Sequence, residues 1–393
     1  MRAGDRGLSL VELVIALGVM LAVTAGLFSV MHPAQGAFAA EQDVADMQQR
    51  LRVASDVLSR DLALAGAGAY GPPHAGPLTQ YFAPVLPFRQ GATNVDAPGT
   101  FAVDRPTLLA VPPTAAETTL TAPLASGAVT LQVARESNCA AGVNLCGFTA
   151  NLPVLVFDEQ GSVSLFTVTS VADALLQVTV TRPPNGANLA FAAGSTVVAG
   201  TSRTYFLKTD PATETMQLMQ YDGTSNADVP VLDHIVGLTF DYAGDPAPPT
   251  LTKAIDDPVG PWTTYGPKPP PIDVQATGYP AGENCAFMLD ANGQPVPRLA
   301  TLASGTALVT LTSQQLTDGP WCPDAASDSR WDADLLRVRA IGVTLRVEVA
   351  SAALRGPAGA LFVNGGSAIG GARWMPDREV RFTVTPRNLN AGR

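Results

Sequence analysis

From Leu13 to Val23 every position is apolar, and after the mild interruptions of Thr24 and Ser29 the run closes at Met31. As a helix, these residues would span roughly 28 Å, the thickness of a bilayer's hydrocarbon core. Pro33 and Gly36 follow and predict a kink or a loosened turn. Polar residues then return at a helical period. Val44, Met47, Leu51, Ala54, Leu58, Leu62 and Ala65 recur at steps of three or four, which draws one apolar stripe with Asp, Gln and Arg on the opposite face. Gly66 and Gly68 end the pattern. Joined, the two segments predict one helix from Leu8 to about Leu64, roughly 85 Å long. Its first half is apolar all round, and its second half has a single face to bury.

After "GPPHAGP" the period changes to short β-rich runs. The pattern predicts strands at Thr107–Val111, Ala128–Val133, Val154–Phe157, Leu165–Val171, Leu175–Thr181, Ser195–Ala199, Arg203–Lys208 and Thr215–Tyr221. Further strands are expected at His234–Tyr242, Leu336–Val349 and Val380–Thr385. No second strongly amphipathic helix is expected. The fold class that follows is α+β, a long N-terminal helix packed on an antiparallel β-rich domain over residues 67–393. Residues 243–283 are Pro-rich and aperiodic and read as a long surface loop, with Trp262 and Tyr265 expected to fold back onto the domain.

Charge and composition narrow the function. Hydrophobic residues make up 46% of the 393-residue chain and charged residues 15%, which excludes a disordered chain. The net charge of −10, without a basic patch interleaved with aromatics, leaves no electrostatic footprint for nucleic acid. Arg2 and Arg6 precede the apolar run while Glu41, Asp43 and Asp46 follow it, so the positive-inside rule keeps the N-terminus in the cytoplasm and exports the rest. Cys139 with Cys146, and Cys285 with Cys322, form two local groups without the CxxC pairs of a zinc site. An exported chain would carry them as disulfides. Four cysteines allow three pairings, and buried free thiols are the alternative. The spacing of His32, His74 and His234 suggests no triad or metal set, and there is no nucleophile elbow, P-loop or dinucleotide motif, so no enzyme and no cofactor are expected. Asp324, Asp328, Asp332 and Asp334 crowd one loop and are weak calcium candidates. A solvated acidic loop is the plainer reading of them.

Glu12 is the residue that composition does not explain. A carboxylate in the apolar part of a membrane helix costs about 2.5–3.5 kcal/mol on insertion scales and calls for a cationic partner. The surrounding "Gly7-Leu8-Ser9-Leu10-Val11-Glu12" resembles the prepilin cleavage signal of type IV pilins and type II secretion pseudopilins. That signal has a glycine before the cut, an apolar residue after it and a glutamate fifth in the product; Leu8 stands here where phenylalanine is usual. "LRVASDVLSRDLALAGAGAYG" resembles the helix end of the larger minor pilins, the W family of type IV pili and the J pseudopilins. "TYFLKTDPATETMQLMQYDG", "HIVGLTFDY" and "REVRFTVTPRNLN" are similar to that family at the level of pattern.

The resemblance implies a role for each residue of the signal. A prepilin peptidase would remove residues 1–7 after Gly7 and methylate the new amine on Leu8, and Glu12 would neutralise that amine on a neighbouring subunit in a filament. The implied partners are major and minor pilins, the peptidase, an inner-membrane assembly platform and membrane lipid. The implied location is the inner membrane of a Gram-negative envelope, single-pass with a periplasmic domain, and then a filament tip or the cell surface. Two other classes stay open. One is a membrane-anchored adhesin or binding protein with a β-rich recognition domain; the other is a secreted hydrolase freed by cleavage after Ala39 in Ala37-Phe38-Ala39.

Overall fold

The computed structural model describes residues 9–68, 70–71, 74–75, 78–91, 96, 101–112, 115–158, 161–182, 189–213, 215–224, 227–249, 279–322, 330–351, 375 and 377–390. Residues 30–40, 70–71, 74–75 and 80 are described by backbone alone. Contacts divide the chain into two units, Met1–Arg52 with Glu348–Arg378 and Val53–Val347 with Glu379–Arg393. The fold is α+β, with an apolar N-terminal helix and a C-terminal part built of antiparallel sheets.

Helix α1 covers Leu10–Leu64, and its backbone stays helical through Pro33 and Gly36. A proline removes one ladder hydrogen bond without ending the helix when both flanks favour it. Leu10–Ser29 is long and apolar enough to cross a membrane, and none of it is buried. The last turns, within the second unit, bury Ala54, Leu58 and Leu62 completely. Gly66, at φ +77°, ends the element in the left-handed region, where a side chain would also press on Leu389 and Pro84.

The second unit begins a sheet, abandons it, and later resumes it. Strands β1 (Val85–Leu86) and β2 (Thr107–Ala110) pair antiparallel. The chain then leaves to build six further strands: β3 (Glu117–Thr119), β4 (Thr130–Gln132), β5 (Pro153–Phe157), β6 (Val163–Ala172), β7 (Gln177–Thr181) and β8 (Thr196–Ala199). Their order is β3-β8-β5-β6-β7-β4. The two end strands meet through a Leu120–Val133 bridge, with Thr121 N–H donating to Gln132 O at 2.8 Å and Ala134 N–H to Thr119 O at 2.8 Å. The six strands therefore close into a small barrel, which removes its edges. Val154, Val156, Phe166, Val168, Val178 and Val180 fill the interior, while the alternate Phe157 turns outward onto Tyr81 and Phe82 at ring distances of 4.9 and 5.7 Å.

The first sheet then resumes with β9 (Thr201–Asp210), β10 (Thr215–Tyr221) and β11 (Val229–Asp233), in the order β11-β10-β9-β2-β1. Thr201 lies opposite Ala110, so the barrel is an insert whose two ends sit on neighbouring strands. His234, at φ +58°, turns the chain between β11 and β12 (Ile235–Gly244). The pattern reads His234–Tyr242 as one strand, but His234 belongs to the turn and β12 starts after it. With β13 (Val309–Leu311), β14 (Val338–Val347) and β15 (Arg378–Val384), β12 forms a second sheet in the order β13-β12-β14-β15.

The long excursion between β12 and β13 is fastened at its base by Arg337, which is fully buried. Its guanidinium pairs with Asp334 and donates to Pro246 O at 3.2 Å and Ala300 O at 2.6 Å. A Cβ at Gly244 would lie 2.4 Å from Arg337 O, so only glycine permits this approach.

Candidate functional site

The sequence points first to the start of α1. Gly7 and Leu8 lie outside the described residues. Glu12 is exposed in the first helical turn, and its Oε2 accepts the Ser9 N–H at 3.0 Å. Ser9 Oγ accepts the Val11 N–H at 3.2 Å. The two form a reciprocal capping arrangement that satisfies two backbone donors with no helical partner. Within the chain the Glu12 carboxylate thus already holds one backbone hydrogen bond. Ser9 is the residue that the sequence reading passed over, although serine three positions before glutamate at a helix start is the signature of this cap.

Beyond Glu12 the helix shows apolar side chains on every face, from Leu13 at 54% exposure to Phe28 at 68%. The two hydroxyls of the span Leu10–Ser29 are satisfied locally, Thr24 Oγ1 donating to Met20 O at 2.6 Å and Ser29 Oγ to Gly26 O at 2.7 Å. No hydroxyl proton is left seeking a partner, which suits surroundings without water. Farther along, Asp46 and Arg50 pair one turn apart at 2.9 Å on the polar face.

At the other end, Asp61 fastens α1 to β9. It lies in "SRDLAL" on the apolar stripe between Leu58 and Leu62, where a carboxylate would be orphaned without partners. Its Oδ2 accepts from both the Arg203 guanidinium and the Tyr205 hydroxyl, and its Oδ1 faces Arg60 Nε at 3.3 Å. Burial pushes the Tyr205 hydroxyl well above its ordinary range, and the Asp61 charge beside it pushes the same way. Burial alone would lower Arg203, but Asp61 reverses this and raises it. This lock escaped the sequence reading, although an acidic residue at a stripe position is a legible sign of a buried partner.

The structure joins Cys139 to Cys146 and Cys285 to Cys322, with Cα separations of 5.5 and 5.3 Å. Among the calcium candidates, Asp324 and Asp328 lie outside the described residues, as do Trp262, Tyr265 and residues 250–278. Asp332 and Asp334 are buried rather than solvated, so they do not belong to a solvated acidic loop. Asp332 caps the short helical turn Ala333–Arg337 by accepting the Asp334 N–H at 2.7 Å, and it also accepts the Gly319 N–H at 2.6 Å. Burial pushes it up to about 7 against those two bonds, with the Asp334 and Asp318 charges adding to the rise. Burial likewise pushes Asp334 up to about 6, against the pull of Arg337. Both side chains therefore hold the fold together through bonds of their own.

Comparison with known proteins adds no relative: no family model, no curated protein and no solved structure matches the chain.

Proposed function

We propose that the chain is a minor pilin or pseudopilin, a structural and priming subunit at or near the tip of a type IV pilus or type II secretion pseudopilus. The observation that carries this reading is the single helix Leu10–Leu64. It begins as an exposed apolar rod bearing one carboxylate, Glu12, and ends locked by Asp61 into a β-rich body. A soluble protein gains nothing from an exposed span of 20 residues in which only Glu12, Thr24 and Ser29 are polar, whereas a helix that first sits in lipid and then packs among the helices of other pilins needs it.

On this reading, residues 1–7 are removed and Leu8 carries the new amine. Glu12 spends its time before assembly bonded to the Ser9 N–H, then exchanges that neutral donor for the charged amine of the adjoining subunit. A charge-assisted bond is roughly twice as strong as a neutral one, so the exchange favours docking. The large β body suits a rare tip position, because crowding along a filament disfavours it at every repeat.

Mass spectrometry of the mature protein tests the processing, with a methylated Leu8 at the N-terminus as the expected result. A chain that retains residues 1–7, or one that starts at Ala40, would refute it. Glu12→Ala is expected to leave membrane insertion intact and to abolish incorporation into filaments, scored by shearing and immunoblotting.

A further inference from the structure

The two disulfides differ in their surroundings. Cys285 and Cys322 are completely buried, whereas Cys146 is exposed and Cys139 half-buried on the barrel surface. Around this second bridge the reduced form already has its partners in place. Cys139 Sγ lies 3.5 Å from Glu136 Oε2 and 3.6 Å from Asn144 O, so a thiol there would find two acceptors. Glu136 is itself buried, and its Oε2 also accepts the Gly147 N–H at 2.8 Å.

The loop, moreover, owes its shape to other bonds as well. Glu136 N–H donates to Asn144 O at 2.9 Å. The Asp173 carboxylate accepts from Asn144 N–H at 2.8 Å and Leu145 N–H at 2.7 Å. Leu145 and Phe148 are anchored in the barrel core. Opening the bridge would therefore leave the segment where it is.

We propose that Cys139–Cys146 is a thiol–disulfide exchange site, opened by an external dithiol while the fold is kept, and that Cys285–Cys322 is a permanent bridge. A thiolate of the dithiol attacks the exposed Cys146 Sγ, and the Cys139–Cys146 bond breaks. The electron pair goes to Cys139 Sγ, which takes a proton from water and donates its S–H to Glu136. The dithiol's second thiolate then attacks its own sulfur in the mixed disulfide and expels Cys146, which is protonated from solvent. Two electrons have entered the protein, and the dithiol has become a disulfide. The exposure of Cys146 decides which sulfur is attacked, and Glu136 favours the protonated product at Cys139.

The test is a titration of the full chain with dithiothreitol under native conditions, followed by alkylation and peptide mass spectrometry. Cys139 and Cys146 are expected to label completely at a dithiol concentration at least roughly tenfold below that which opens Cys285–Cys322. Far-ultraviolet circular dichroism and the tryptophan fine structure of the near-ultraviolet spectrum should be unchanged at that point, the disulfide's own band aside. Glu136→Gln keeps an oxygen for Gly147 but offers the thiol a weaker acceptor, and it should require roughly threefold more dithiol for half-reduction. Simultaneous opening of both bridges, earlier labelling of Cys285 and Cys322, or loss of the tryptophan fine structure along with the Cys139–Cys146 bridge would each overturn the proposal.

Discussion

Asp61 earns its position on an apolar stripe only through Arg203 and Tyr205, and the two partners differ in their dependence on it. The Tyr205 hydroxyl is fully buried, while Arg203 is about a third exposed and reaches water. Asp61→Ala should therefore lose about 2–3 kcal/mol in chemical denaturation, most of it from the orphaned hydroxyl. Asp61→Asn keeps an acceptor and should lose clearly less; equal losses would show that the charge carries the lock. Asp332 and Asp334 give a second residue-scale prediction. Both keep protons when folded that the unfolded chain has released, so their contribution is fully present below about pH 4 and is lost as pH rises through 6 and 7. Calorimetry should give a higher Tm at pH 5.5 than at pH 8. Asp318→Asn, which removes an exposed neighbouring charge, should raise the pH 8 value and narrow the gap. At this scale the sequence displays the chemistry but hides the partner. Ser9 is visible beside Glu12, whereas Arg203 lies 142 positions from Asp61.

Among the elements, those with their own period were readable and those defined by their neighbours were not. Thr215–Tyr221 is the observed β10, and the stripe of α1 ends where the glycines stand. The three-residue β3 has no period to show. It exists because β8 pairs with it and because Leu120 meets Val133, contacts that span the insert. The pattern likewise reads Leu175–Thr181 as one strand, whereas Asp173–Leu175 is a helical turn and Leu176, at φ +53°, forces the strand to start later. The insert also permits a direct test. Replacing residues 112–200 by Asn-Gly leaves a three-residue loop between Ala110 and Thr201, a length that antiparallel neighbours accept. The shortened chain should keep β2 paired with β9. It should be less stable by about 1.5–3 kcal/mol, because Phe82 loses its cover by Phe157. Failure to fold would show that the barrel templates the body.

For the molecule as a whole, the proposed role rests on two separate features, the exposed apolar half of α1 and the β-rich second unit. The apolar half of α1 was legible at once, because exclusion from water acts on each residue separately. The topology was not, because nothing local records that the chain interrupts one sheet to build a barrel and then resumes it, or that a single guanidinium ties two distant carbonyls. That guanidinium has a practical consequence. With Pro246 and Ala300 both gripped by Arg337, and β12 zipped to β14 on one side and β13 on the other, a protease that nicks the intervening stretch would sever the polypeptide without freeing either piece. The clipped molecule would still elute as one particle and would fall into two bands only on a denaturing gel run with reductant, because Cys285–Cys322 also spans part of that stretch.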